Sequence, residues 1–225
     1  MPSIYLSLSV GWVMSNSPSN PKRQLRGEAV RRRLIEAAEN LLMEKGVSQI
    51  TTQDVLNTAG VARNTLYKHF ADVDALVEAT LLKGFSEQVE LDTQMILQII
   101  SGCESQDQFK DAMAKITRAT NGADRKPRRQ MRVLLISMAR TRPALQAKLA
   151  ALQSRMTLGL SEAFELAQEK GFIRETVSPR MGAIFIQSYT LGRILLDVEP
   201  CSEGDALDWM TLIDQVMTGV FTPSV

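Results

Sequence analysis

Between Arg63 and Phe70 the chain reads Arg-Asn-Thr-Leu-Tyr-Lys-His-Phe. At helical spacing Arg63 and Tyr67 share one side with Asn64 and Lys68, while Ala62, Leu66 and Phe70 recur every four residues on the other. The first group is predicted to face solvent and the second to face inward. The outward face then carries a guanidinium, an amide, a phenol and an ammonium, with His69 beside them. Arg and Asn pair bidentately with guanine and adenine edges, and Tyr, Lys, Thr and His side chains bind phosphate oxygens. A face so rich in donors does little for folding. It has the chemistry of a helix that lies in the major groove of DNA.

A short element must precede that helix to hold it at the groove. Thr51 and Asp54 stand at the spacing of a capping box. Val55 and Leu56 supply a buried side, and Ala59-Gly60 supplies a stop and a turn. The segment from Ile50 to Leu76 is thus expected to form a helix, a tight turn and a short second helix.

The run from about Arg31 to Leu82 resembles the DNA-binding domain of the tetracycline-repressor (TetR) family of bacterial transcription regulators. The matching residues are Ile35, Ala37, Ala38 and Leu41-Leu42, then Gly46, Thr51-Thr52, the Ala59-Gly60-Val61 turn and Thr65-Leu66-Tyr67-Lys68-His69-Phe70. The hexapeptide after an Ala-Gly-Val turn is specific, whereas a bare helix-turn-helix pattern is not. The match covers roughly a quarter of the chain, and the remainder resembles the family only in length and helical pattern. Two positions depart from it. The family usually has Ser or Thr where Ala62 stands, a cap worth about 1 kcal/mol to the helix that follows. It often has Lys where Val73 stands, reaching a phosphate that Val cannot reach.

The composition is that of an ordinary globular protein of 225 residues, 44% hydrophobic and 23% charged, with length enough for two modest domains. The net charge of +1 hides an asymmetry. Residues 20–70 hold nine Lys/Arg against five Asp/Glu, leaving 17 against 20 elsewhere. The basic end is the end with the groove-reading pattern, as counterion release from DNA requires. Cys103 and Cys201 have no CxxC spacing, and two reduced thiols are expected. His69 is the single histidine, which excludes a His-based triad and a multi-His metal site. No Walker or GxGxxG phosphate loop is present. No enzyme activity, metal or cofactor is expected.

Ile4–Val13 is apolar but too short to span a membrane, and no basic residue precedes it as in a signal peptide. The expectation is that Met14 is the native start and that residues 1–13 reflect an upstream start-codon assignment. Ser15–Gln24 is rich in Ser, Asn and Pro and reads as disordered. Lys22, Arg23, Arg26 and Arg31–Arg33 then read either as a solubilising tail or, by their position before the motif, as a flexible arm that adds DNA contacts.

Beyond a cap at Asp72 the pattern is helical throughout, so the fold class is all-α. Helices are expected from Asp72 towards Ile100, and at about Gln106–Thr120, Pro127–Thr141, Ala144–Lys170, Pro179–Val198 and Asp205–Phe221. The breaks fall at Asn121-Gly122, Pro143, Gly171 and Glu199-Pro200. Leu145, Leu149, Leu152, Met156, Leu160 and Phe164 form one apolar stripe, and Met131, Leu134, Leu135 and Met138 another. Methionines at this spacing are core filler by default. The resemblance implies a small-molecule pocket among the central helices, for which Met131, Met138, Met156, Phe164 and Tyr189 are candidate lining residues. Between Met181 and Leu196 Arg193 is the single charged residue, so that helix needs cover on more than one side. With Met210, Ile213, Met217, Val220 and Phe221 of the last helix it forms either an intramolecular core or, as the family implies, a four-helix interface across a two-fold axis.

The sequence therefore predicts an N-terminal extension (1–24), a three-helix helix-turn-helix domain (25–75) and a larger helical ligand-binding and dimerisation domain (76–225). The expected function is a cytoplasmic DNA-binding transcriptional regulator, a homodimer on a palindromic double-stranded operator, released as a repressor by a small-molecule effector. No membrane association is expected. Arg63, Asn64, Thr65 and Lys68 are expected at base edges, Thr52, Tyr67 and His69 at phosphates, and Arg33 and Thr51 beside them. The alternatives are an activator or ligand-independent regulator of the same fold and, less in keeping with the pattern, a helical enzyme or adaptor with an incidental helix-turn-helix.

Overall fold

The computed structural model describes residues 21–46, 50–199 and 202–221. Ile4–Val13, Met14 and Cys201 lie outside them. Among the described residues there are ten α-helices and no strand, in agreement with the expected all-α class. They are α1 (Pro21–Lys45), α2 (Thr52–Ala59), α3 (Arg63–His69), α4 (Val73–Gly102), α5 (Gln106–Asn121), α6 (Lys126–Ala139), α7 (Pro143–Glu169), α8 (Pro179–Gly192), α9 (Ile194–Val198) and α10 (Glu203–Phe221).

Three boundaries differ from the sequence expectation. Helix α1 begins at Pro21, so Pro21–Gln24 are helical rather than disordered, and Lys22, Arg23 and Arg26 ride on a helix rather than on a flexible arm. Proline reads as a loop signal, yet the first helical turn tolerates it because the N–H it lacks would go unbonded there. For the same reason Pro143 heads α7 instead of merely ending the helix before it. The third difference is a break at Gly192-Arg193, which divides the expected Pro179–Val198 helix into α8 and α9. Glycine lowers the cost of leaving the helix at this point, and the turn brings Arg193 and Asp197 into a buried cluster described below.

The helix ends follow local chemistry. Asp72 accepts from the Ala75 N–H at 2.7 Å and so starts α4. Ser105 and Ser178 cap α5 and α8 in the same way. Gly60 closes α2 in the left-handed region, at φ 62°, ψ 42°, where a side chain would be strained. Gly171, at φ 75°, does the same after α7.

Packing divides the interior into three apolar clusters. In the first, Leu34, Ala38, Val55, Leu66, Phe70 and Leu76 join α1, α2, α3 and the start of α4. The second lies among α4, α6, α7 and α8, around Leu81, Phe85, Leu135, Met156 and Leu160. The third lies deeper, around Ile100, Phe109, Phe164 and Phe172. Helix α4 takes part in all three, through Leu76, then Leu81 and Phe85, then Ile100. At 30 residues it is about 45 Å long, and it packs most extensively against α7. Helix α3 has only seven residues, too few for stability alone. Full burial of Leu66 and near-full burial of Phe70 hold it in place.

Candidate DNA-reading face and the cavity behind it

The outward face of α3 begins with its cap. Ala62 is extended at φ −75°, ψ 153° and gives no side-chain cap, so only its carbonyl serves the helix, accepting from Thr65 and Leu66. Ala62 is exposed, which corrects its expected inward position. As the cap it precedes the helix, and the four-residue spacing applies only from Arg63 on. Arg63, Asn64 and Lys68 are exposed and Tyr67 is 47% exposed. Among the described residues neither Arg63 nor Lys68 forms an ion pair. Thr65 and His69 are half-buried, and the His69 ring lies beside Gly27 of α1. Four of the six polar groups expected on this face are therefore exposed.

Thr51 and Thr52 occupy different positions at the start of α2. The Thr51 hydroxyl accepts from the Asp54 N–H at 3.2 Å, and the Asp54 carboxylate accepts from the Thr51 N–H at 3.1 Å and from its hydroxyl at 2.7 Å. These bonds complete the capping box and hold the Asp54 carboxyl below its ordinary range, the Thr51 hydroxyl contributing most. Lys45 adds an ion pair at 3.3 Å that ties α1 to α2. Thr52, one residue on, is half-buried. Arg33 on α1 is exposed. Sequence reasoning placed Arg31 in the basic arm and missed its contact with Phe70, whose ring centre lies 5.1 Å from the guanidinium, a brace at the C-terminal end of α3.

Behind the reading head lies an open cavity of about 110 Å³ lined mainly by α4, α6, α7 and α8. Its apolar wall consists of Leu81, Phe85, Met131, Leu135, Met156 and Leu191, and its polar side carries Gln88, Asp92, Arg125, Arg128, Arg129 and Arg132. Of the expected lining residues, Met131 and Met156 are here. Phe164 lines a second cavity of about 220 Å³ nearer α5 and α10. Met138 is half-buried and packs against the second cluster. Tyr189 is buried, set edge-on to Phe185 at 5.7 Å, and burial pushes its hydroxyl up. Neither Met138 nor Tyr189 borders either cavity. Which face of a central helix meets empty space depends on how its neighbours cross it, and periodicity does not carry that information.

Beside the first cavity stands a buried charge cluster that the sequence did not reveal. Arg129 donates from Nε to Asp197 Oδ2 at 2.6 Å and from Nη2 to Oδ1 at 2.9 Å, and both terminal nitrogens reach the Gly122 carbonyl at 3.2 and 3.3 Å. The two side chains are 5% and 4% exposed. Arg193 approaches the same carboxylate at 3.4 Å. The only available signal was Arg193 and Asp197, four residues apart, in an otherwise apolar segment.

Burial pushes the Asp92 carboxyl up and the Arg132 guanidinium down. Among the described residues no cluster of His, Cys, Asp and Glu suits a metal ion. No helix there is long and apolar enough to cross a membrane.

Comparison with known proteins agrees with this geometry. The family model for bacterial regulatory proteins of the tetR family matches residues 34–80, which take in the end of α1, all of α2 and α3 and the start of α4. The HTH-type transcriptional regulator UidR of Escherichia coli (strain K12) is 22% identical over 176 residues, 78% of this chain and 85% of its own length. The HTH-type transcriptional regulator TtgR of Pseudomonas putida is 39% identical over 54 residues, 24% of this chain and 26% of its own. Among solved structures, Salmonella enterica GusR superposes with a TM-score of 0.61 at 22% identity, covering 85% of this chain and 95% of that one. The reduced form of E. coli NemR gives 0.63 at 16% identity, covering 87% and 100%. The exposed donor face, the helix-turn-helix that presents it and these likenesses together make residues 34–80 a DNA-binding domain of the tetR type and the chain a DNA-binding transcriptional regulator.

Proposed function

We propose that this protein is a homodimeric repressor that leaves a palindromic operator when a small molecule occupies the cavity behind its reading head. The observation that carries this reading is the continuity of α4. Leu76 belongs to the core of the reading head, and Thr80, one turn further on, lines the cavity. Leu81, Gly84, Phe85, Gln88 and Asp92 continue that wall. A ligand that shifts α4 therefore shifts the helix on which α3 rests. Release requires only that the ligand bind the displaced state more tightly, by a coupling of about 1–3 kcal/mol.

In this reading residues 25–75 form the DNA-binding domain and residues 76–225 the effector and dimerisation domain, with α4 shared between them. Arg63, Asn64, Thr65 and Lys68 approach base edges, while Thr52, Tyr67, His69 and Arg33 contact phosphates. Thr51 contributes through the cap that positions Thr52. The dimer face is the apolar side of α8, where Met181, Ile184 and Phe185 are 54%, 37% and 36% exposed, continued by Leu195, Val198, Leu207 and Leu212 on α9 and α10. Within one chain α10 packs chiefly against α5, which leaves this side of α8 open. A pair of recognition helices on a palindrome needs such a two-fold contact.

The test is fluorescence anisotropy on DNA flanking the protein's own gene against scrambled DNA of equal length, across a salt series. A preference of at least about 10³ with a steep salt slope supports the reading. It should be abolished by Tyr67→Ala with Lys68→Ala, and dimer formation in sedimentation should be lost with Ile184→Asp. Equal, weak binding to both DNAs counts against it, and transcription that rises on binding would make the protein an activator.

A further inference from the structure

We infer that the cavity behind the reading head takes a small organic anion with an apolar body, its acidic head held by Arg125, Arg128 and Arg132. The inference rests on the reading of this domain as an effector site and names the class of effector.

Four arginines border a cavity of about 110 Å³, and their partners differ. Arg129 is committed to Asp197. The other three turn mainly to neutral groups. Arg128 donates from Nη1 to Gln88 Oε1 at 2.8 Å, and Arg125 reaches the same oxygen at 3.5 Å. Arg125 has one acidic contact, its exposed chain neighbour Asp124 at 3.7 Å. Arg132 donates from Nη2 to Gln153 Oε1 at 2.9 Å and lies 4.8 Å above the Phe85 ring. An amide oxygen shared by two guanidiniums is a weak acceptor beside a carboxylate, whose charge-assisted bonds are about twice as strong.

Acidic side chains of the wall do not satisfy this demand. Glu39 is paired with Lys83 at 3.5 Å. Asp92 is the other carboxyl, and it already accepts from the Gln88 amide while burial pushes it towards its protonated form. Three guanidiniums thus face one carboxyl whose charge is disfavoured. The rest of the wall is apolar, with Leu81, Phe85, Leu135 and Met156 all buried, and the Thr80 hydroxyl beside them is spent on the Leu76 carbonyl. A simple inorganic anion would leave that wall uncovered, and a neutral apolar molecule would leave the guanidiniums with amide partners.

The test titrates the full-length protein with octanoate, decanoate and 4-phenylbutanoate, each against its uncharged primary amide, by isothermal calorimetry. At least one acid should bind about tenfold or more tightly than its amide. Arg128→Gln with Arg132→Gln should bring acid and amide to within about twofold, and Arg128→Lys should retain part of the preference. Arg128 is exposed, so Arg128→Gln alone serves if the double variant does not fold. Equal binding of acid and amide, no binding of any acid, or a preference that survives the variants would overturn the inference. Operator anisotropy on the same samples separates the two readings. Acid preference without DNA release removes the coupling and leaves the charge assignment standing, whereas release by acid and amide alike does the reverse.

Discussion

Arg129→Met leaves the Asp197 carboxylate in the interior without its principal partner. In the native protein Arg129 makes two short bonds to that carboxylate, at 2.6 and 2.9 Å, and two longer ones to the Gly122 carbonyl. Removing one member of a buried ion pair costs about 3–5 kcal/mol, because the remaining charge stays desolvated. Here Arg193 remains 3.4 Å away and takes up part of that charge, which places Arg129→Met at the lower end, about 3 kcal/mol. Asp197→Asn is the harsher change, since it leaves two buried guanidiniums facing a neutral amide, and should cost about 5 kcal/mol. With a urea slope of about 2–3 kcal/mol per M, these losses lower the unfolding midpoint by about 1–1.5 M and about 2 M. The assay is urea denaturation followed by far-ultraviolet circular dichroism, at one fixed protein concentration because any self-association would add to apparent stability. A shift below about 0.3 M for Arg129→Met, or a smaller loss for Asp197→Asn than for Arg129→Met, would refute the argument that a single carboxylate balances two cations.

Other outcomes follow from single contacts. Ala62→Ser supplies the missing cap of α3 in a backbone already extended, and should raise stability by about 0.5–1 kcal/mol in the same denaturation assay. Leu66→Ala empties the one fully buried anchor of α3 and should cost about 2–5 kcal/mol, with operator affinity falling in anisotropy even where the fold persists. Gly182→Ala would set a methyl 2.5 Å from Phe164 Cε1, against a ring wedged in the core, and should cost about 1–3 kcal/mol. The Asp54 carboxyl is held below the ordinary aspartate value of 3.8 because the folded state favours its charged form, chiefly through the Thr51 hydroxyl. Its contribution is therefore present above that value and is lost as pH falls below it. The stability gap between wild type and Asp54→Asn should close on acidification, and a gap that widens would contradict the capping geometry.

Legibility followed the range of the interactions involved. The capping box at Thr51 and Asp54, the left-handed glycines at Gly60 and Gly171 and the cap at Asp72 act within a few residues, and they show in sequence and structure alike. Where a local signal had two meanings, the sequence reading went the wrong way. Pro21 reads as part of a disordered stretch and Pro143 as a break, and both begin helices. At Ala62 a helical period was carried one residue past the helix start. Met131 and Met156 border the cavity while Met138, on the same helix as Met131, is half-buried against the edge of the second cluster. All three are equally apolar and suitably spaced, and only the crossing of α4 and α7 over α6 separates them.

By itself the sequence determined the helical class, the order and approximate limits of the helices, and the row of donors on α3. Each of these depends on residue type and on neighbours within one or two turns. Tertiary structure decided the rest. It brought Arg129, Gly122 and Asp197 together from three elements, with 68 residues between the two ends of the ion pair. It also gathered the arginines of α6 and the turn before it around a cavity walled by α4, and set that wall one turn from the core of the reading head. The free energies of such contacts depend on distance and burial, and a one-dimensional pattern contains neither.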